Sequence, residues 1–141
     1  MSDTTFDFGS GPVPAHRHLN GGGWVADTAR VDATAYVGPG AVVYGTAWVS
    51  GAAEVYGNAQ VSGNAQVSGN ARVYGAARVH DRARVYGDAA VYDRARVYGY
   101  ARVFGDAVVS GNARVYGTAW VCGNARVSGT ALVFGNAGVT Q

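Results

Sequence analysis

The sequence predicts an all-β solenoid in which 18 residues form one triangular turn. Two observations carry this prediction. From Val25 to Val139 a valine stands at every sixth position, which makes 20 valines in register with no insertion or deletion. From Ala29 to Ala137 an alanine stands two residues before each valine. Self-similarity at a fixed period is the signature of a repeat architecture and takes precedence over local signals.

Each six-residue unit is predicted to be a short strand followed by a corner. The Ala and the Val are two residues apart, so in an extended chain both side chains point to the same face. The pair after the strand is often Gly-Asn, as at Gly57 and Asn58, and both residues accept the positive φ of a tight bend. A helix is not expected, because a Gly in nearly every unit would weaken it.

Three units close one turn, and successive turns are expected to stack about 4.8 Å apart, as hydrogen-bonded strands do. Residues 25–141 then form a little over six turns of a single-stranded parallel β-helix. A hydrophobic content of 48% excludes a disordered chain, yet there are two Leu, one Met and no Ile. The core must therefore be thin and filled with Ala and Val.

The first 23 residues break the repeat. Gly23 stands where the repeat requires Ala, and the segments GSGPVP and NGGG are irregular. We therefore assign 24–141 to the β-helix and 1–23 to an irregular segment. We expect this segment to cap the first turn, with Phe6, Phe8 or Leu19 covering its open end.

The units VYGNAQ, VSGNAR and VFGNAG resemble the hexapeptide repeat of left-handed parallel β-helix proteins. The segment at 19–31, LNGGGWVADTARV, resembles the start of hexapeptide-repeat proteins encoded by bacteria and phages. The resemblance implies left-handed coiling and, often, a homotrimer. The best-known members of the family are acyltransferases, and some are zinc carbonic anhydrases.

Stacking at intervals of 18 residues sorts the outward side chains into three faces, each with an outer ladder and a neighbouring aromatic column. One face carries the ladder Arg78, Arg96 and Arg114 beside the column Tyr44, His80, Tyr98, Tyr116 and Phe134. Another carries Arg30, Trp48, Arg84, Arg102 and Trp120 beside Tyr86 and Phe104. The third carries Tyr36, Arg72, Val108 and Arg126 beside Tyr56, Tyr74 and Tyr92.

These ladders have two interpretations. Like charges on adjacent strands repel, so the arginines would accept an anion or a carboxylate of a partner. The interpretation we prefer is that each guanidinium lies across a neighbouring aromatic ring. The exposed rings stabilise the parallel strands or form an interface, since Tyr, Trp and Arg are the residue types enriched in interface hot spots.

Few residues suggest a chemical site, and we expect no catalytic residue and no cofactor. His80 beside Arg78 is the one candidate for a catalytic base. His16 and His18, two residues apart, are candidates for a shared metal ion, but no Cys or carboxylate cluster accompanies them, so we expect no metal site. Cys122 is outward and single, which excludes an internal disulfide.

Polar residues also fill several corners. The corner column Asn70, Asp88, Asp106 and Asn124 could attract a cation, although these residue types are favoured at turns in any case. Asp-Arg pairs replace Gly-Asn at 81–82 and 93–94, and we expect each to be a local ion pair.

The preferred function is a non-enzymatic structural or interaction module, a rigid self-associating rod. The alternative is an acyl-CoA-dependent transferase of the acyltransferase type, but the 19 units contain no inserted loop to wall a pocket. Ice binding would require a flat array of Thr, whereas the Thr residues lie mainly at corners.

We expect partners of the same chain. The last unit does not change character to protect its edge, so a homo-oligomer is predicted: a lateral trimer, with an end-to-end fibre as the alternative. A net charge of +2 does not indicate nucleic-acid binding. No apolar run is long enough to cross a membrane and no secretion signal is seen, so the expected location is the cytoplasm or a particle assembled there.

Overall fold

The computed structural model describes residues 4–140, which contain 22 strands and no helix. No described segment is therefore a helix that could span a membrane. The strands in chain order are β1 (Thr5–Asp7), β2 (Pro12–Arg17), β3 (Trp24–Ala26), β4 (Arg30–Val31), β5 (Tyr36–Val37), β6 (Val42–Val43), β7 (Trp48–Val49), β8 (Glu54–Val55), β9 (Gln60–Val61), β10 (Gln66–Val67), β11 (Arg72–Val73), β12 (Arg78–Val79), β13 (Arg84–Val85), β14 (Ala90–Val91), β15 (Arg96–Val97), β16 (Arg102–Val103), β17 (Val108–Val109), β18 (Arg114–Val115), β19 (Trp120–Cys122), β20 (Arg126–Val127), β21 (Leu132–Val133) and β22 (Gly138–Thr140).

Every third strand from β3 onward pairs in parallel, which generates three sheets. We call the outer surfaces of these sheets the first face (β3, β6, β9, β12, β15, β18, β21), the second face (β4, β7, β10, β13, β16, β19, β22) and the third face (β5, β8, β11, β14, β17, β20). Paired residues are 18 apart, as in Arg78 with Arg96 and Val79 with Val97. The predicted 18-residue solenoid of about six turns is confirmed.

The core is the column of alanines and valines that the sequence predicts. All inward Ala and Val residues from Ala35 to Ala125 are fully buried. The polar backbone of each coil is satisfied by the next coil: the N–H groups of Arg78 and His80 donate to the carbonyls of Ala95 and Val97, both at 3.0 Å. Small side chains let three strands close around one axis, and the hydrogen-bond ladder then fixes the register of every coil.

Left-handed backbone forms the corners. The corner glycines from Gly45 to Gly135 have φ between 64° and 70°, and Asp81 and Asp93 replace glycine at φ 60°. Glycine adopts this conformation without steric cost, and Asp is among the few other residues that tolerate it. The residue after most of these donates its N–H to the corner of the next coil, as in the bond from Arg82 N to Gly99 O at 2.8 Å.

The N-terminal segment extends the first sheet with antiparallel strands instead of another coil. Strands β1 and β2 form an antiparallel hairpin, and β2 pairs antiparallel with β3. The segment then crosses the start of the third sheet, where Val37 N donates to Asn20 O and Gly23 N donates to Val37 O. Gly23 is required there, because a Cβ would lie 2.4 Å from the carbonyl oxygen of Gly38.

The aromatic residues of this segment lie outside the core. Phe6 stacks on Trp24 at 4.8 Å and Phe8 stacks on Tyr44 at 4.9 Å, so both rings continue the outward columns. Leu19 is fully exposed, and the expectation that it covers the end of the core is wrong. Among residues 4–23 the buried side chains are instead those of Ala15 and His18.

Candidate functional site

The first face presents three arginines with no opposing charge. Arg78, Arg96 and Arg114 are paired directly along β12, β15 and β18. Each is separated from the next by one strand spacing of about 4.8 Å. Within residues 4–140, none of the three has a side-chain hydrogen bond, an ion pair or an aromatic contact. The ladder is therefore a strip of positive charge, and a bound anion would reduce the repulsion between its arginines.

An aromatic column stands beside that ladder. His80 and Tyr98 stack with ring centroids 5.0 Å apart, Tyr98 and Tyr116 at 5.0 Å, and Tyr116 and Phe134 at 5.4 Å. The planes lie within 11° of parallel. The stacking follows from the register, since each ring is held one strand spacing above the last.

The second face carries arginines and tryptophans on one ladder. Its ladder runs from Arg30 through Trp48, Gln66, Arg84 and Arg102 to Trp120. Tyr86 and Phe104 stack beside it at 5.0 Å. Both tryptophans are exposed, with 42% of Trp48 and 47% of Trp120 accessible to solvent.

The third face is better covered. Its rings Tyr56, Tyr74 and Tyr92 stack at 4.8 and 4.9 Å and are half-buried. Arg72 lies 4.0 Å from the carboxylate of Glu54, which stands one strand away on the same ladder. Arg126 ends the described ladder of this face.

The arginines of the first-face ladder do not lie across aromatic rings, so the preferred interpretation is wrong for them. Among the described residues, ring contacts are made by Arg17 over Trp24 at 4.6 Å, Arg30 over Trp48 at 5.6 Å and Arg82 over Tyr100 at 5.6 Å. From His80 to Phe134 the neighbouring rings stack on one another, so no ring face between them is free for a guanidinium.

The Asp residues at the corners bind backbone and do not pair with the arginines that follow them. Asp81 accepts a hydrogen bond from Gly99 N at 3.1 Å, and Asp93 accepts one from Gly111 N at 3.0 Å. The predicted ion pairs with Arg82 and Arg94 are absent from residues 4–140. Each Asp instead ties its corner to the coil above, a role that the sequence reasoning missed.

The titratable candidates are separated in the structure. The Nδ1 atom of His80 lies 3.3 Å from Asp81 Oδ1. His16 Nδ1 lies 2.7 Å from Asp27 Oδ1, whereas the buried His18 donates from Nε2 to the carbonyl of Ala35 at 2.8 Å. The two histidines thus engage different partners.

Within the described part of the chain, Cys122 and the polar corner column are not surrounded by groups that would bind a ligand. Across residues 4–140, no group of three or more His, Cys, Asp or Glu side chains could hold a metal ion. Cys122 is a free, half-exposed thiol. In the corner column, Asn70 donates to Asp88 at 3.3 Å, as expected of polar residues stacked at a turn.

Tyr74, the middle ring of the three stacked tyrosines on the third face, has a raised pKa. Burial raises the pKa of the Tyr74 phenol above its ordinary value of about 10. The neighbouring Tyr56, Tyr92 and Asp93 raise it further, while Arg72 lowers it.

We expect Tyr74→Phe to protect the protein against mild alkali. Because the folded pKa is the higher one, the stability that this phenol contributes is complete below about pH 10 and falls as the pH rises through the folded pKa. The variant should therefore lose less stability than the parent above pH 10 in urea titrations. The absorbance difference between the two proteins should show the missing phenol ionising above pH 10, and ionisation below pH 10 would contradict the assignment.

One family model is similar to part of the repeat. The model of the YdcK beta solenoid repeat matches residues 65–81, 95–111, 101–117 and 107–123. No curated protein and no solved structure matches the chain. The chain is thus similar to β-solenoid repeat proteins over its central and later coils, in agreement with the stacked parallel strands described above.

Proposed function

We propose that this β-solenoid repeat protein is a non-enzymatic interaction module that associates side by side with a second copy of itself. The observation that carries the proposal is the position of the exposed apolar side chains. Within residues 24–140 the large exposed ones lie on the first two faces or on the corner between them. They are Trp48, Tyr100, Trp120, Leu132 and Phe134.

Exposed rings on one side of a molecule favour association. Apolar residues scattered singly are normal on a protein surface, but several large ones gathered on one side favour an interaction site. Trp48 and Trp120 lie on one straight ladder, and Tyr100 stands at the adjoining corner. Tryptophan, tyrosine and arginine are also the residue types that dominate binding energy at interfaces. We therefore place the interface on the second face.

The distribution of charge along the rod favours an antiparallel pair. Residues 4–71 carry two arginines and four carboxylates, a net −2, while residues 72–140 carry nine arginines and four carboxylates, a net +5. Because the coils stack along one axis, the rod has an acidic half and a basic half. A parallel trimer, which the family resemblance implies, would bring three basic halves together. An antiparallel pair brings each basic half against an acidic one.

The tryptophans of the second-face ladder are placed symmetrically, as an antiparallel pair requires. Trp48 and Trp120 each lie two strands from Arg84. In an antiparallel pair centred on Arg84, Trp48 of each copy faces Trp120 of the other, so four indoles are removed from water. The two Arg84 side chains would then face each other across the two-fold axis, where like charges oppose association.

This arrangement predicts opposite effects for two similar substitutions. Arg84→Gln removes the repulsion at the axis and should tighten the dimer severalfold. Arg102→Gln removes the same charge away from the axis and should weaken it severalfold, since it reduces the attraction to the acidic half. Sedimentation over a series of micromolar protein concentrations measures the dimer affinity of both variants. Arg126→Gln on the third face is the matched control.

Trp120→Ser should weaken the pair tenfold or more, as expected for the loss of an indole buried at an interface. The parent protein should sediment with the mass of two copies at low salt and dissociate at high salt. A monomer at all concentrations, a mass of three copies or an open-ended fibre would contradict the proposal. A saturable calorimetric signal with acetyl-coenzyme A would favour the transferase alternative instead.

A further inference from the structure

The aromatic column of the first face is interrupted at one position. Phe8 stacks on Tyr44 below the interruption, and His80, Tyr98, Tyr116 and Phe134 stack above it. Ser62 occupies the position between, since Tyr44 N donates to Val61 O and Ser62 N donates to Val79 O. A side chain without a ring therefore stands where the column would otherwise place one.

The interruption forms a notch with the dimensions of one ring. Tyr44 and His80 are two strand spacings apart, which is about 9.6 Å. A ring inserted midway would lie about 4.8 Å from each neighbour, which matches the 4.8 Å separation of Tyr56 and Tyr74. The structure has a cavity of about 290 Å³ at this point, lined by Tyr44, Gln60, Ser62, Arg78, His80 and Asp81. One planar ring fits the gap, and two stacked rings do not.

The wall of the notch carries one cation, Arg78, and one carboxylate, Asp81, and only the carboxylate already has hydrogen-bond partners among the described residues. Asp81 is engaged on both oxygens, with His80 Nδ1 3.3 Å from Oδ1 and Gly99 N 3.1 Å from Oδ2. Arg78 is exposed, and among residues 4–140 no carboxylate or ring contacts it. Its guanidinium begins the ladder that Arg96 and Arg114 continue. A ligand with a negative group would satisfy Arg78 and reduce the repulsion along the ladder.

We propose that this notch binds a small planar aromatic anion. The ring lies between Tyr44 and His80 above Ser62, and a carboxylate or phosphate on the ring accepts hydrogen bonds from Arg78. The side-chain amide of Gln60 supplies a further polar contact. The site is on the first face, away from the second-face interface, so it does not depend on the association proposed above.

The probe is 2-naphthoate, which is fluorescent and combines one planar ring system with one carboxylate. We expect saturable one-to-one binding at millimolar concentration or below. The neutral analogue 2-naphthylmethanol tests the contribution of the ring, and inorganic phosphate tests that of the charge. Both should bind more weakly than 2-naphthoate, because each makes only half of the contacts.

Ser62→Tyr is the decisive variant, because its ring completes the column and occupies the notch. We expect it to abolish 2-naphthoate binding while the melting temperature is maintained or raised. Ser110→Tyr is the matched control: it adds a ring beside Tyr92 on the third face and should leave binding unchanged. Unchanged binding in a folded Ser62→Tyr protein would overturn the proposal.

A second variant tests the contact between Arg78 and the negative group of the ligand, separately from any effect on the fold. Arg78→Gln should weaken 2-naphthoate about tenfold, as expected for the loss of a charge-assisted hydrogen bond. The same variant should leave 2-naphthylmethanol unaffected. Equal loss of both ligands, no loss of either, or the absence of saturable 2-naphthoate binding to the parent protein would each contradict the assignment.

Discussion

Replacing Ala89 by Leu is expected to destabilise the solenoid by about 1–3 kcal/mol, or more if the coil cannot widen. Ala89 is fully buried and points to the axis, where three strands converge on small side chains. Three extra carbons in this position must displace the coils above and below. Because each coil contacts only its neighbours, the strain cannot spread over a large core.

The adjacent residue supplies the control. Ala90, the first residue of β14, points outward on the third face, between Arg72 and Val108 of the neighbouring strands. Ala90→Leu adds the same volume at the surface and should change stability by less than about 0.5 kcal/mol. Urea unfolding of both variants measures the difference. Equal stabilities would show that Ala89 does not face the core.

The interior of the fold could be predicted from the sequence almost completely, because a single pattern determines it. The position of Val85 in the six-residue period specifies its strand, its inward direction and its partners 18 residues away, Val67 and Val103. The same rule orders the outer columns. A strict period leaves no freedom in the register of the strands, so the core could be predicted with little further information.

The N-terminal hairpin could not be predicted in the same way. The pairing of β2 with β3 is a tertiary contact between a Pro-containing segment and a strand edge, and β2 carries no periodic signal. The sequence indicated only that these residues leave the coil. The roles of Phe6 and Phe8 depend on that pairing, which explains why they were expected to cover the core and instead lie against Trp24 and Tyr44.

The candidate sites were only partly accessible to sequence reasoning. The notch at Ser62 could have been found by writing out the column Tyr44, Ser62, His80 and noting the missing ring. The hydrogen bonds of Asp81 could not, because side-chain rotamers decide whether a carboxylate binds a neighbouring guanidinium or a backbone N–H. At Asp81 the backbone N–H of Gly99 is held in a fixed position by the fold, whereas the guanidinium would have to be ordered at an entropic cost.

The corner glycines share a positive φ but differ in what lies above them. Substitutions at two of them therefore separate the cost of the backbone conformation from the cost of crowding the next coil. Gly111 and Gly129 have nearly the same φ, 64° and 65°. A Cβ at Gly111 would lie 2.8 Å from the backbone N of Gly129, while a Cβ at Gly129 would meet nothing within 4 Å. Asp93 occupies the same corner one coil earlier, where its carboxylate accepts a hydrogen bond from Gly111 N at 3.0 Å.

We therefore expect Gly111→Ala to cost about 2–3 kcal/mol and Gly129→Ala about 1 kcal/mol, since both pay for positive φ but only the first also crowds the next coil. Gly111→Asp should cost less than Gly111→Ala despite its larger side chain. Asp tolerates this backbone conformation, and its carboxylate can accept from Gly129 N as Asp93 does from Gly111 N. Urea unfolding of the three variants gives the ranking. If Gly111→Asp were the least stable of the three, the carboxylate of Asp93 would be a tolerated substitution and not a tie between coils.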